Sequence, residues 1–147
     1  MKVRYIMYNL KRRNIFETLQ DDYPEVKQMG FNNIGYDYLM TNDNKLEVRI
    51  EHKYRSFGIK VDITPAQEEM ADVIALTTQD GKNYFMLGDD YRRNAKPHSY
   101  AATAKKLGVH SKSLEMTQKD FIENASTNLY EVVNKVKHNF GQLGNFI

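Results

Sequence analysis

The stretch Ile34-Gly35-Tyr36-Asp37-Tyr38-Leu39-Met40-Thr41-Asn42-Asp43-Asn44-Lys45-Leu46-Glu47-Val48-Arg49-Ile50-Glu51-His52-Lys53-Tyr54 decides the fold. From Lys45 onward it alternates strictly: Leu46, Val48 and Ile50 share one face, and Glu47, Arg49, Glu51 and Lys53 share the other. A period of two is the signature of a strand with one face on a core. Residues 34–40 read as a second strand, and Thr41-Asn42-Asp43-Asn44 between them carries turn chemistry. The spacing therefore predicts a β-hairpin.

The flanks extend this pattern. Upstream, Ile15, Phe16, Leu19, Tyr23, Val26 and Met29 recur at near-helical spacing, with Pro24 as a break or restart and Gly30 as a stop. Downstream, Thr64-Pro65-Ala66-Gln67 has the N-cap, N1 and N3 residues of a helix start. Val73 to Thr77 reads as a buried strand, Asp80-Gly81 as a hairpin turn and Asn83 to Leu87 as the returning strand. Residues 99–107 read as a helix ending at Gly108, and Thr117, with Asp120 three positions on, caps a last helix running to about Phe140. The expected class is α/β (α+β): a mixed central β-sheet flanked by helices, in a single domain of residues 1–147.

The same hairpin concentrates chemistry. Residues i and i+2 of a strand project from one face about 6–7 Å apart, so Glu51 and Lys53 present a carboxylate and an ammonium together. Asp37 lies on the preceding strand and approaches Glu51 if the two strands pair through the 41–44 turn. Two converging carboxylates suit a hard cation such as Mg²⁺ or Mn²⁺ that keeps several waters. A neighbouring lysine can orient a water and offset phosphate charge, which completes the parts for metal-assisted phosphodiester hydrolysis. An alternative reading makes Glu51 and Lys53 a solvated strand face, where ion pairs contribute little.

Asp37, Glu51-x-Lys53 and Gln67 on a following helix, in the order helix, hairpin, helix, two strands, resemble the PD-(D/E)XK nuclease superfamily over roughly residues 12–88. That superfamily includes restriction endonucleases, Holliday-junction resolvases and phage recombination exonucleases. Gly35-Tyr36-Asp37-Tyr38 and Ala71-Asp72-Val73-Ile74 fit its style, whereas Tyr36 stands where many members carry proline. The resemblance implies a restriction-endonuclease-like core with a basic, helical extension over residues 91–147. It implies that Asp37 and Glu51 are metal ligands, with the His52 backbone carbonyl as a further one. It makes Lys53 the residue that positions the attacking water and Gln67 an auxiliary polar group. Glu17 would match an acidic residue on the first helix. Gln67 also has a plain role as capping partner of Thr64, and Glu17 as a surface helix residue.

Charge is consistent with a polyanionic partner only when segmented. The 147 residues carry a net charge of +2. Residues 1–20 hold five basic residues and one acidic, residues 21–90 seven basic and fourteen acidic, and residues 91–147 nine basic and four acidic. An acidic centre thus lies between two basic ends. Arg12, Arg13, Arg92, Arg93, Lys96, Lys105 and Lys106 are the candidate DNA contacts. The absence of cysteine excludes disulfides, zinc-thiolate sites and a cysteine nucleophile. No apolar run reaches the roughly 18 residues of a membrane span, and no signal-peptide core is visible, so a cytoplasmic protein is expected.

Other constellations are weaker. His98, His110 and His138 have no partners at zinc-site spacing. Tyr5, Tyr8, Tyr91 and Tyr100 lie among basic residues and suit either base stacking or core packing. Ala104-Lys105-Lys106-Leu107-Gly108-Val109, followed by Leu114, is similar to the centre of a helix-turn-helix, although Ser113-Leu114-Glu115-Met116 also reads as a short strand. The expected function is a Mg²⁺-dependent DNA endonuclease, resolvase-like and homodimeric if it cuts two strands. The alternatives are a non-enzymatic DNA-binding regulator using residues 99–116, or an inactive phage or mobile-element interaction protein on the same core.

Overall fold

The computed structural model describes residues 19–28, 36–63, 71–97 and 113–138. Within them the protein is mixed α/β, with a five-stranded sheet, a three-stranded sheet and short helices. The larger sheet has the order β1 (Lys27–Gln28), β2 (Tyr38–Thr41), β3 (Glu47–Arg55), β5 (Val73–Thr78), β6 (Asn83–Leu87). Strands β3 and β5 run parallel, and every other neighbouring pair in that sheet is antiparallel. The smaller sheet has the order β4 (Val61–Ile63), β8 (Leu114–Met116), β7 (Lys96–Pro97), antiparallel throughout. The helices are α1 (Gly88–Asn94), α2 (Gln118–Asn124) and α3 (Leu129–Val133).

The expected hairpin is β2–β3. Asn42 closes its turn, with Oδ1 accepting from the N–H groups of Asn44 and Leu46 at 3.0 Å each. Asp80-Gly81 turns β5 into β6 as expected, with Gly81 at φ +83, a conformation that costs a residue with a Cβ. Thr117 caps α2 by accepting from Asp120 N–H at 3.1 Å.

Both faces of the large sheet are covered. Val48, Ile50, Val73, Ala75 and Phe85 meet Leu19, Leu129, Val132 and Val133 on one face. Ile74, Leu76 and Met86 meet Val61, Ile63, Tyr91, Met116 and Phe121 on the other. All six residues of β5 are buried, which explains its apolar sequence without alternation.

Several expected elements change. Helical backbone in the 11–29 region is described only over residues 19–22; Pro24 lies in a turn, and Lys27–Gln28 pair with β2 as a strand. The strand expected at 34–40 begins at Tyr38, after a bend at Asp37. The last helix is two helices. Ala125 is extended at its start, and Ser126 N–H and C=O bond the backbone of Phe85 at 2.8 and 2.7 Å, which covers the edge strand β6. Asn128 then caps α3 by accepting from Tyr130 N–H at 3.1 Å. Helix α1 has acids in its first turn and arginines in its last, an order that suits the helix dipole. The helix start at Thr64, the helix at 99–107 and most of the helix-turn-helix segment lie outside the described residues. Among those described, no helix is long and apolar enough to cross a membrane.

Candidate functional site

The register of the hairpin builds the site. Tyr38 pairs with Ile50, and Asp37 N–H donates to Ile50 C=O at 2.8 Å, so Asp37 stands opposite Glu51. The Asp37 Oδ2 atom accepts from His52 N–H at 2.8 Å, which fixes its carboxylate at the end of β2. The Asp37 carboxyl is close enough to Glu51 to push its carboxyl up, and Lys53 Nζ lies 3.3 Å from Glu51 Oε1. Asp37, Glu51 and Lys53 are therefore brought together, as the hairpin predicted.

The face they occupy is not solvated. Glu51 is 4% exposed, and the side chain of Lys53 is 11% exposed. Burial pushes the Glu51 carboxyl up, the adjacent Asp37 pushes it further, and Lys53 opposes both; the net position is about 7. A carboxyl that is half-protonated near neutrality beside a second carboxyl is a place where a hard cation can replace a proton.

His52 sits between Glu51 and Lys53, and alternation sends its ring to the opposite face. There its Nε2 meets Thr77 Oγ1 at 2.7 Å, and Tyr38 packs on it with ring centroids 5.9 Å apart. A strand residue's N–H and C=O leave on the same side. Because His52 N–H points to Asp37, its carbonyl faces the Asp37 side as well.

Arg49 and Asp72 form a second pair, which sequence reasoning missed. Asp72 Oδ2 accepts from Arg49 N–H at 2.9 Å and from Arg49 Nε at 3.3 Å, and both side chains are buried. Asp72 N–H returns a bond to Arg49 C=O at 2.9 Å, and the Arg49 guanidinium lies 6.0 Å from the centroid of the Tyr36 ring. This pair fastens the lead-in of β5 beside the site strand. The signal in the sequence was an arginine two positions before Glu51 and an aspartate before an apolar strand; only the parallel β3–β5 pairing joins them. Glu47 pairs with Thr41 at the far end of β3, about 13 Å along the strand from Glu51, and is exposed.

The remaining candidates separate. Glu17, Gln67, Arg12, Arg13, Lys105 and Lys106 lie outside the described residues. Arg92 is bonded to Asp89 at 2.6 Å and Arg93 to Asp90, while Lys96 is exposed on β7. Tyr91 is core, donating from its hydroxyl to Val61 C=O at 2.7 Å, which removes it as a stacking platform. Leu114–Met116 is a strand, so a second helix of a helix-turn-helix has only residues 109–113 for its length. A pocket of about 160 Å³ between β6 and the helices is lined by Asp90, Ser126, Glu131 and Lys135, and does not include the carboxylate pair. Among the described residues no group of three or more His, Cys, Asp or Glu forms a metal cluster.

No known protein family and no curated protein matches the chain.

Proposed function

We propose that the protein is a metal-dependent DNA endonuclease with a restriction-endonuclease-like core. The observation that carries this reading is the meeting of Asp37 and Glu51 on one buried face with Lys53 bound to Glu51. The donor set fits a small hard cation: two neighbouring carboxylates and a backbone carbonyl facing the same side, all oxygen donors. When bound, Mg²⁺ or Mn²⁺ would neutralise phosphate charge and acidify a water.

The chain's own residues supply the rest. Asp37 and Glu51 hold the cation, and His52 N–H fixes the orientation of Asp37. Lys53, tied to Glu51, is placed to orient the attacking water or to offset charge growing on the phosphate oxygens. Arg93 and Lys96, together with basic residues elsewhere in the chain, would contact the DNA backbone, which positions a duplex without reading its sequence. Cutting two strands, or a four-way junction, would use a homodimer.

The test is incubation of the purified protein with Mg²⁺ or Mn²⁺ and supercoiled, linear and four-way-junction DNA. Cleavage that falls roughly 100-fold or more in both D37A and K53A supports the reading. Failure of the wild type to cut any of the three substrates, or cleavage that survives both substitutions, overturns it.

A further inference from the structure

We propose that Thr77, with Asn83 behind it, is a positioning residue for the carboxylate pair, acting through the ring of His52; this rests on the metal-site reading above. Three polar groups form a row across three strands. Asn83 on β6 is the register partner of Thr77 on β5, and Thr77 lies diagonal to His52 on β3. Thr77 Oγ1 donates to Asn83 Oδ1 at 2.5 Å. An amide oxygen only accepts, so with Oδ1 toward Thr77 the threonine proton goes to Asn83, and Thr77 Oγ1 also meets His52 Nε2 at 2.7 Å.

The row lies on the face opposite the carboxylates, among Tyr38, Ile50, Val73 and Ala75, and Thr77 and His52 are 3% and 6% exposed. Apolar side chains would fill these positions with no polar group to satisfy. What the row reaches is the His52 backbone. That one residue gives its N–H to Asp37 Oδ2 and turns its carbonyl to the same side. Holding the ring at its far nitrogen limits rotation of the strand about its axis, and so fixes both backbone groups relative to Glu51. The Tyr38 ring, next to Asp37 in sequence, packs on the same imidazole. Groups standing one step behind metal ligands commonly change metal affinity 10–100-fold when removed.

The experiment compares wild type, T77V, T77S and D37A. Mn²⁺ binding is measured by calorimetry, and exchange of the His52 amide hydrogen by NMR. T77V keeps the shape and removes the hydroxyl; T77S restores it. The expected result is Mn²⁺ binding that D37A abolishes, that T77V weakens about 10–100-fold, and that T77S retains within about threefold. The His52 amide should exchange faster in T77V without metal present. Unchanged exchange and unchanged Mn²⁺ affinity in a folded T77V overturn the positioning role and leave the metal site standing. A wild type with no D37A-sensitive Mn²⁺ binding overturns the metal site, while the exchange measurement still reports on the row. If T77V does not fold, N83A removes the acceptor behind Thr77 and is read in the same two ways.

Discussion

Asp37 and Glu51 face each other at the end of the β2–β3 pairing, and the Asp37 carboxylate that crowds Glu51 is itself held by the N–H of His52 at 2.8 Å. Asp37 therefore has little freedom to swing away, and Glu51 bears the cost of the encounter as a raised pKa. Between its ordinary value of 4.5 and about 7, folded Glu51 holds a proton that the unfolded chain has released. Its contribution to stability is thus fully present at low pH and is lost as pH rises through that window. The loss by pH 8 is on the order of 3 kcal/mol. E51Q should remove this dependence, so urea unfolding of E51Q and wild type should converge near pH 5 and separate by pH 8, with E51Q the more stable. Millimolar Mg²⁺ should raise the wild-type melting temperature more at pH 8 than at pH 5.5. Equal shifts at the two pH values would contradict the exchange of a proton for a cation.

Arg49 and Asp72 lock the start of β5 to β3, and the lock is buried. Burial pushes the Asp72 carboxyl up by more than Arg49 pulls it down, so the pair is maintained at a desolvation cost. D72A leaves the arginine in place without that partner and should cost about 3–5 kcal/mol in urea unfolding. The double replacement R49M/D72L should cost clearly less than D72A alone, because it removes both charges from the interior.

Gly88 begins α1 where the chain passes Ala71. A Cβ at this position would lie 2.3 Å from the Ala71 carbonyl oxygen, a backbone atom that cannot swing aside. G88A should therefore cost about 1–3 kcal/mol, read as a lower melting temperature. Gly81 has open space around it and only its positive φ to protect, so G81A should cost about 1 kcal/mol. The two variants separate a steric requirement from a conformational one.

The hairpin was legible because two local signals agreed. Alternation from Leu46 to Lys53 set the faces, and Asn42-Asp43-Asn44 set the turn. The same alternation said nothing about what covers the polar face; the burial of Glu51 and of most of the Lys53 side chain decides against a solvated pair. Val26 continued a helical period but lies just before strand β1, because Pro24 ends the helix and tertiary pairing with β2 takes the next residues. Helix α1 was hidden because Gly88-Asp89-Asp90 reads as turn chemistry; its support is the pairing of Asp89 with Arg92 and Asp90 with Arg93. The Asp80-Gly81 hairpin sets Asn83 opposite Thr77, but Thr77 carried no signal as a partner of His52, since that meeting depends on the parallel β3–β5 pairing that local pattern does not specify.

Asn42 ties the site hairpin to α3. Its Nδ2 donates to the carbonyls of Val133 and Val136 at 2.9 and 2.8 Å, while its Oδ1 holds the turn. N42A removes all four bonds from a buried position and should cost about 2–3 kcal/mol. N42D keeps the turn acceptor but turns a buried carboxylate oxygen toward two carbonyl oxygens, so at pH 7 it should be at least as destabilised as N42A.

The partners of that amide are 91 and 94 residues further along the chain. At a synthesis rate of about 5–20 residues per second, the ribosome releases both carboxylate strands roughly 5–20 s before it releases the carbonyls that clamp their turn. A growing polypeptide holds the carboxylate pair early and its fastening late. The local half of the Asn42 network can therefore form during synthesis, whereas its clamp onto Val133 and Val136 must wait until that segment has emerged.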